Sequence, residues 1–138
     1  MLDTSVLVAA VRSDQGASRQ LLVHALERRF ALLVSVPLMI EYEAVLSRPE
    51  HLSASGLSSA EMAVILDAVA ASASPVRLAY LWRPVLADSD DDMVLETAVN
   101  GGADLLVTLE RSGFYAARRF SVSVVSPGEA LRRLRRRT

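Results

Sequence analysis

Short apolar runs rich in β-formers alternate along the chain with stretches whose hydrophobic residues recur every three or four positions. This alternation predicts an α/β domain with a mainly parallel sheet. The first strand is Met1-Leu2-Asp3, and the hydroxyls of Thr4 and Ser5 suit the start of a helix continuing through Val6, Leu7 and Val8. A helix around Ser18 to Arg29 carries Leu21, Leu22, Ala25 and Leu26 on one face, and Ala31 to Ser35 reads as the second strand. Pro37 fits the first turn of the next helix, which gathers Leu38, Glu41, Tyr42 and Val45 before Pro49 stops it. Ser58-Ser59-Ala60-Glu61 is a capping box opening a helix through Met62, Ile65, Leu66 and Val69. A third strand is expected over Pro75 to Leu78. Asp88 to Asp92 then begin a helix through Val94, Leu95, Ala98 and Val99, stopped by Gly101-Gly102. Asp104 to Thr108 and Ser121 to Val125 complete a five-stranded sheet, and Ser126-Pro127-Gly128-Glu129 opens the last helix as a second capping box.

Composition narrows the chemistry. At 138 residues and 51% hydrophobic the chain has material for one core, so a single domain over residues 1–138 is expected. With no cysteine, thiolate metal sites, disulfides and cysteine nucleophiles are excluded. A metal would need oxygen ligands or the two histidines, His24 on a helix face and His51 in a polar loop, which lack ligand spacing and read as structural or surface residues. That favours Mg²⁺ or Mn²⁺ over Zn²⁺. No apolar run has the length of a membrane span and no leader pattern opens the sequence, so a cytoplasmic protein without a membrane partner is expected.

The net charge of −1 hides an asymmetry, because Arg132, Arg133, Arg135, Arg136 and Arg137 crowd the end of an otherwise acidic chain. A basic tail at about 132–138 reads either as a nucleic-acid-facing segment or as a solvated end.

Parallel α/β domains place ligands at the carboxyl ends of strands. Three acidic features fall there: Asp3, the Asp88 to Asp92 cluster, and Glu110. Asp3 is flanked by apolar Leu2 and Val6, so its carboxylate needs a cation or strong hydrogen bonds. Glu41 lies on an apolar helical turn, where a charge is costly unless paired. Asp91 precedes Val94, Leu95 and Ala98 at helical spacing, which turns it toward the sheet. Asp88 and Asp90 are explained as helix caps, and Glu43, Glu96 and Glu129 as solvated or capping residues. Glu110 reads equally as a site residue or an ordinary loop glutamate. Carboxylate clusters of this kind hold hard divalent cations that activate water for attack at phosphorus.

These fragments, in this order, resemble the PIN-domain family, in particular bacterial PIN-type toxins of toxin-antitoxin systems. The carriers are Leu2-Asp3-Thr4-Ser5-Val6-Leu7; Ser35 through Pro37 to Glu41-Tyr42-Glu43-Ala44-Val45-Leu46-Ser47-Arg48-Pro49; Asp88-Ser89-Asp90-Asp91-Asp92-Met93-Val94-Leu95; Gly102 to Thr108; and Ser126-Pro127-Gly128-Glu129-Ala130-Leu131. The resemblance implies a three-layer α/β/α fold and a Mg²⁺- or Mn²⁺-dependent ribonuclease acting on single-stranded RNA. It implies Asp3, Glu41, Asp91 and Glu110 as the four acidic site residues, with Asp3 and Asp91 as metal ligands. An antitoxin that covers the site is implied as a partner. Self-association is a further expectation, with Leu81-Trp82, Val85 and Tyr115 as candidates for an exposed apolar patch.

Two departures stand out. The family commonly has Asp or Asn where this chain has Glu110, and an Asp before Phe where it has Gly113-Phe114. They motivate an alternative, a degenerate PIN domain that binds RNA or a protein without cutting. A phosphatase with Asp3 as nucleophile is disfavoured, because its usual partner Asp two residues on is replaced by Ser5.

Overall fold

A computed structural model describes residues 1–78 and 89–137, and their side chains apart from those of residues 89–92, 115, 116, 118, 119 and 137. In chain order the elements are α1 (Thr4–Arg12), α2 (Ala17–Leu26), β1 (Leu33–Val34), α3 (Val36–Leu46), α4 (Pro49–Ser55), α5 (Ser59–Ser72) and β2 (Ser74–Pro75). After these come α6 (Ser89–Asn100), β3 (Leu105–Val107), a 3-10 stretch (Arg111–Phe120), β4 (Ser123–Val125) and α7 (Pro127–Arg137).

Among the described residues every strand pairing is parallel, as the alternating pattern predicts. β1 pairs with β2 and β3 with β4, while residues 1–3 join β3 through an isolated bridge between Leu2 and Val107. The Met1 amine donates to the Leu105 carbonyl at 3.0 Å, and Asp3 N–H donates to the Val107 carbonyl at 2.9 Å. The second, fourth and fifth expected strands are present in shortened form; the third lies at Ser74–Pro75 and not over Pro75 to Leu78, the first segment contributes one bridge, and a continuous five-stranded sheet is not formed among the described residues. Strands of two or three residues make few ladder bonds, and Pro75 has no N–H to contribute. Among the described residues the fold is therefore a mixed α/β one, mostly helical, with two small parallel sheets.

Helix boundaries follow local chemistry. Ser35 caps α3 by accepting from Leu38 N–H at 3.3 Å. The Ser58–Glu61 capping box has both bonds, at 3.0 and 3.1 Å, and hydrogen bonding from the Ser58 backbone N–H, then from its side chain, holds the Glu61 carboxyl below its usual range. α2 ends at Leu26, short of the expected Arg29, because Arg28 turns the chain with φ of 59°. Pro49 does stop α3, but it also occupies the first turn of α4, so His51 lies in a helix and not in the polar loop expected. The 3-10 stretch was not foreseen; it buries Phe114 and Ala117.

The core is one cluster drawn from nearly every element, including Leu2, Val6, Leu38, Tyr42, Leu95 and Leu106. α1 packs on α2, α7 on α2, and α3 on α1, α5 and α6. α6 ends as expected at the glycine pair, where Gly102 has φ of +63°. A Cβ at Gly101 would lie 2.8 Å from Val76 Cγ2 and 3.0 Å from Leu33 Cδ1, so the missing side chain lets α6 approach the β1–β2 pair.

The arginine-rich end is helical through Arg137. Glu129, at the start of α7, accepts from Arg132 at 2.9 Å, Arg133 at 3.0 Å and Arg136 at 3.4 Å, and the first two hold its carboxyl below the usual range. α7 starts beyond the carboxyl end of β4 and runs back, so Arg133 lines a groove with Met1, Arg29 and Asp104 at the amino ends of the strands. Leu81, Trp82 and Val85 and the Tyr115 side chain, expected to form an apolar patch, lie outside what is described.

Candidate active site

The carboxyl end of the first segment carries Asp3, which is only 5% exposed. Its backbone is fixed by Val107, and its position as N-cap of α1 sets it against the positive end of that helix. One carboxylate oxygen, Oδ1, accepts from Thr4 N–H at 2.9 Å. The other, Oδ2, accepts from the Ser5 hydroxyl at 2.8 Å and from the Thr108 hydroxyl at 2.7 Å. Thr108 is fully buried and directly follows β3. The sequence marked Asp3 as a carboxylate in need of partners, and Ser5 as a helix-start hydroxyl. It read Thr108 only as the end of a strand, since no local pattern links residues 105 positions apart.

Behind Asp3 lies a second buried polar layer. The Tyr42 hydroxyl donates to the Leu2 carbonyl, tying α3 to the first segment. Burial, and then the negative charge of Asp3, push the Tyr42 phenol well above its ordinary pKa, so it stays a protonated donor. Ser35 Oγ lies 2.6 Å from Thr97 Oγ1, which itself donates to the Met93 carbonyl, so β1's end is bonded to α6.

Glu41 lies on α3 beside Tyr42 and is half-buried, on the helix that the Tyr42 bond holds to the Asp3 segment. Glu110 is exposed; its N–H donates to Thr108 Oγ1 at 3.0 Å, so its backbone is attached to the Asp3 cluster through Thr108. Asp91 falls within α6, and Val94, Leu95 and Ala98, the residues three, four and seven beyond it, are buried as its spacing predicts. The Asp91 side chain, like Asp88 and the side chains of Asp90 and Asp92, lies outside the described residues. Among the described residues no three His, Asp or Glu side chains stand close enough to form a metal site.

One acidic residue was misread. Glu96, expected at the surface, is 1% exposed, because Met93 to Ala98 are all buried and α6 has no solvent face along that stretch. Among the described residues no single helix is long and apolar enough to cross a membrane.

Asp3, Glu41, the acidic residues opening α6, and Thr108 all lie within the part of the chain that a family model matches. The model described as PIN domain matches residues 1–112. The chain belongs to the PIN-domain family. PIN domains are generally nucleases and typically use divalent metals, so the nuclease class follows from membership. No curated protein and no solved structure matches the chain. The donor chemistry of this PIN domain suits a hard cation, because Asp3 meets oxygen and nitrogen donors only on three of its roughly four lone-pair sites and no thiol competes.

Proposed function

We propose that the chain is a Mg²⁺- or Mn²⁺-dependent endoribonuclease cleaving single-stranded RNA, and the toxin of a toxin-antitoxin pair acting in the cytoplasm. The observation that carries this reading is the buried Asp3 carboxylate, held by three hydrogen bonds at the carboxyl end of the first segment, which bridges β3 in parallel, in a PIN domain. The reading includes the five-stranded, three-layer architecture of the family.

In this reading Asp3, through Oδ1, and Asp91 would hold the cation, with Glu41 or Glu110 beside them. The bound cation supplies a lowered water pKa and charge neutralisation at the attacked phosphate. Asp3 enters that chemistry as an oriented anion, since its oxygens are fixed before substrate arrives. Glu41, on the helix tethered by Tyr42, or Glu110, on the exposed turn after Thr108, orients the attacking water. Val36, Ile40 and Leu109, 73%, 60% and 54% exposed, lie on α3 and after β3 at the carboxyl-end side, and an antitoxin covering the site would bury them. A homodimer is the further partner proposed.

The test is cleavage of a fluorophore-quencher single-stranded RNA by the purified chain with Mn²⁺ or Mg²⁺. Asp3→Asn and Asp91→Asn are expected to lose more than about a hundredfold in rate, since even outer-shell changes around a metal cost about 10- to 100-fold. Retained wild-type cleavage in Asp3→Asn, with circular dichroism unchanged, would sink the assignment. The exposed Glu110 and the Gly113-Phe114 pair favour a second reading, a PIN domain that binds RNA without cutting. RNA binding with no Mn²⁺ uptake in calorimetry selects it.

A further inference from the structure

Two hydroxyls separated by 103 positions converge on one oxygen atom. Ser5 and Thr108 both donate to Asp3 Oδ2, at 2.8 and 2.7 Å, while their own oxygens stand 3.5 Å apart. A hydroxyl has one proton, so both protons are committed to the carboxylate and neither is shared between the hydroxyls. Their lone pairs are then free to accept. Ser5 Oγ accepts from Leu109 N–H at 3.2 Å, and Thr108 Oγ1 accepts from Glu110 N–H at 3.0 Å. Two parallel relays therefore run from consecutive backbone amides, through two hydroxyls, to a single carboxylate oxygen. In each relay the carboxylate's charge polarises the hydroxyl and strengthens its hold on the amide behind it.

The lone-pair inventory gives the arrangement a direction. An ionised carboxylate offers about four acceptor positions, two per oxygen. Oδ2 is filled by the two hydroxyls and Oδ1 is half filled by Thr4 N–H. We propose that Ser5 and Thr108 are positioning residues that clamp Asp3 Oδ2 and the Leu109–Glu110 backbone into one unit, leaving Oδ1 as the only carboxylate atom presented to a cation. The clamp also sets where the Glu110 side chain departs from the backbone, with the longer reach of Glu in place of the family's Asp or Asn. Its role toward a cation rests on the metal-dependent reading above, whereas the hydrogen-bonded unit itself does not.

The experiment uses the full chain, with Mn²⁺ affinity by calorimetry, melting temperature, and amide exchange by nuclear magnetic resonance. Thr108→Val keeps the volume and removes the hydroxyl; Thr108→Ser keeps the hydroxyl and removes the methyl group. Expected is about a tenfold or greater loss of Mn²⁺ affinity in Thr108→Val, with affinity retained in Thr108→Ser even though Thr108→Ser melts lower than wild type. Exchange should accelerate at Glu110 in Thr108→Val and at Leu109 in Ser5→Ala. Equal Mn²⁺ affinity in Thr108→Val and wild type, with only the melting temperature moved, would overturn the proposal by showing a merely structural role. If the wild type binds no Mn²⁺, the metal-dependent reading fails separately. The clamp is then judged by exchange alone: acceleration at the two named amides upholds it, and unchanged exchange rejects it.

Discussion

Ser35 shows how much one small side chain does near the site. Thr97 spends its single proton on the Met93 carbonyl, so Ser35 must donate to Thr97 Oγ1 while accepting from Leu38 N–H. Ser35→Ala removes a helix cap and strips a buried hydroxyl of its donor, an expected cost of about 1–2 kcal/mol. A urea midpoint unchanged from wild type would contradict that account. At this scale the sequence was informative where chemistry is local. Asp3 stood out because a charge between Leu2 and Val6 demands partners, and Ser58 with Glu61 announced a cap that the structure contains. It was silent where partners are distant, as with Ser35 and Thr97 or Asp3 and Thr108. Glu96 was misassigned because a helix buried over several successive residues erases the polar face that periodicity relies on.

Apart from α4 and the 3-10 stretch, elements were legible as existence and type, less so as ends and neighbours. The glycine pair after α6 was readable as a stop, but only the packing reveals that the two glycines serve different ends. Gly102 supplies a left-handed backbone with open space around it, whereas Gly101 supplies the absence of a side chain against Val76 and Leu33. Gly101→Ala is expected to destabilise by about 1–3 kcal/mol through overpacking, and Gly102→Ala by about 1 kcal/mol through backbone strain. Val76→Ala should relieve the first and not the second, a comparison made by denaturant titration of the double variants. If Val76→Ala relieves neither, the close-approach explanation fails. Pro49 was read as punctuation alone, since a proline that ends one helix and one that begins the next look alike when the helices are two residues apart. The strands escaped a full account for a related reason: two- and three-residue ladders give too little periodicity to predict which pairs join.

At the scale of the whole molecule, a chain that starts at Met1 couples folding to pH through the amino group of that residue. Burial, partly opposed by Asp104, lowers its pKa from 8.0 to about 6, while its hydrogen bond to the Leu105 carbonyl persists in either charge state. In the unfolded chain the amine holds its proton up to about pH 8. The unfolded state therefore binds more protons between about pH 6 and 8, and stability falls as acid is added through that window. The loss, complete below about pH 6, is on the order of 3 kcal/mol. Urea midpoints at pH 6 and 8 check this, and a chain carrying residues ahead of Met1 should lose the effect. A pH-independent midpoint in the chain beginning at Met1 would contradict it. Charge at this scale was half legible: the arginine cluster was evident, but not that α7 directs Arg133 toward the amino ends of the strands, away from Asp3, with Glu129 offsetting its neighbours.

The clamp on Asp3 joins the third residue of the chain to the hundred-and-eighth. A polypeptide made from its amino end toward its carboxyl end has Asp3 early and Thr108 late. Until β3 has been synthesised and released to fold, Asp3 lacks both its backbone partner Val107 and half of its Oδ2 bonding. During translation, then, the growing chain carries the carboxylate without the geometry that would arm it. The bonded unit around Asp3 therefore assembles only after Thr108 has left the ribosome.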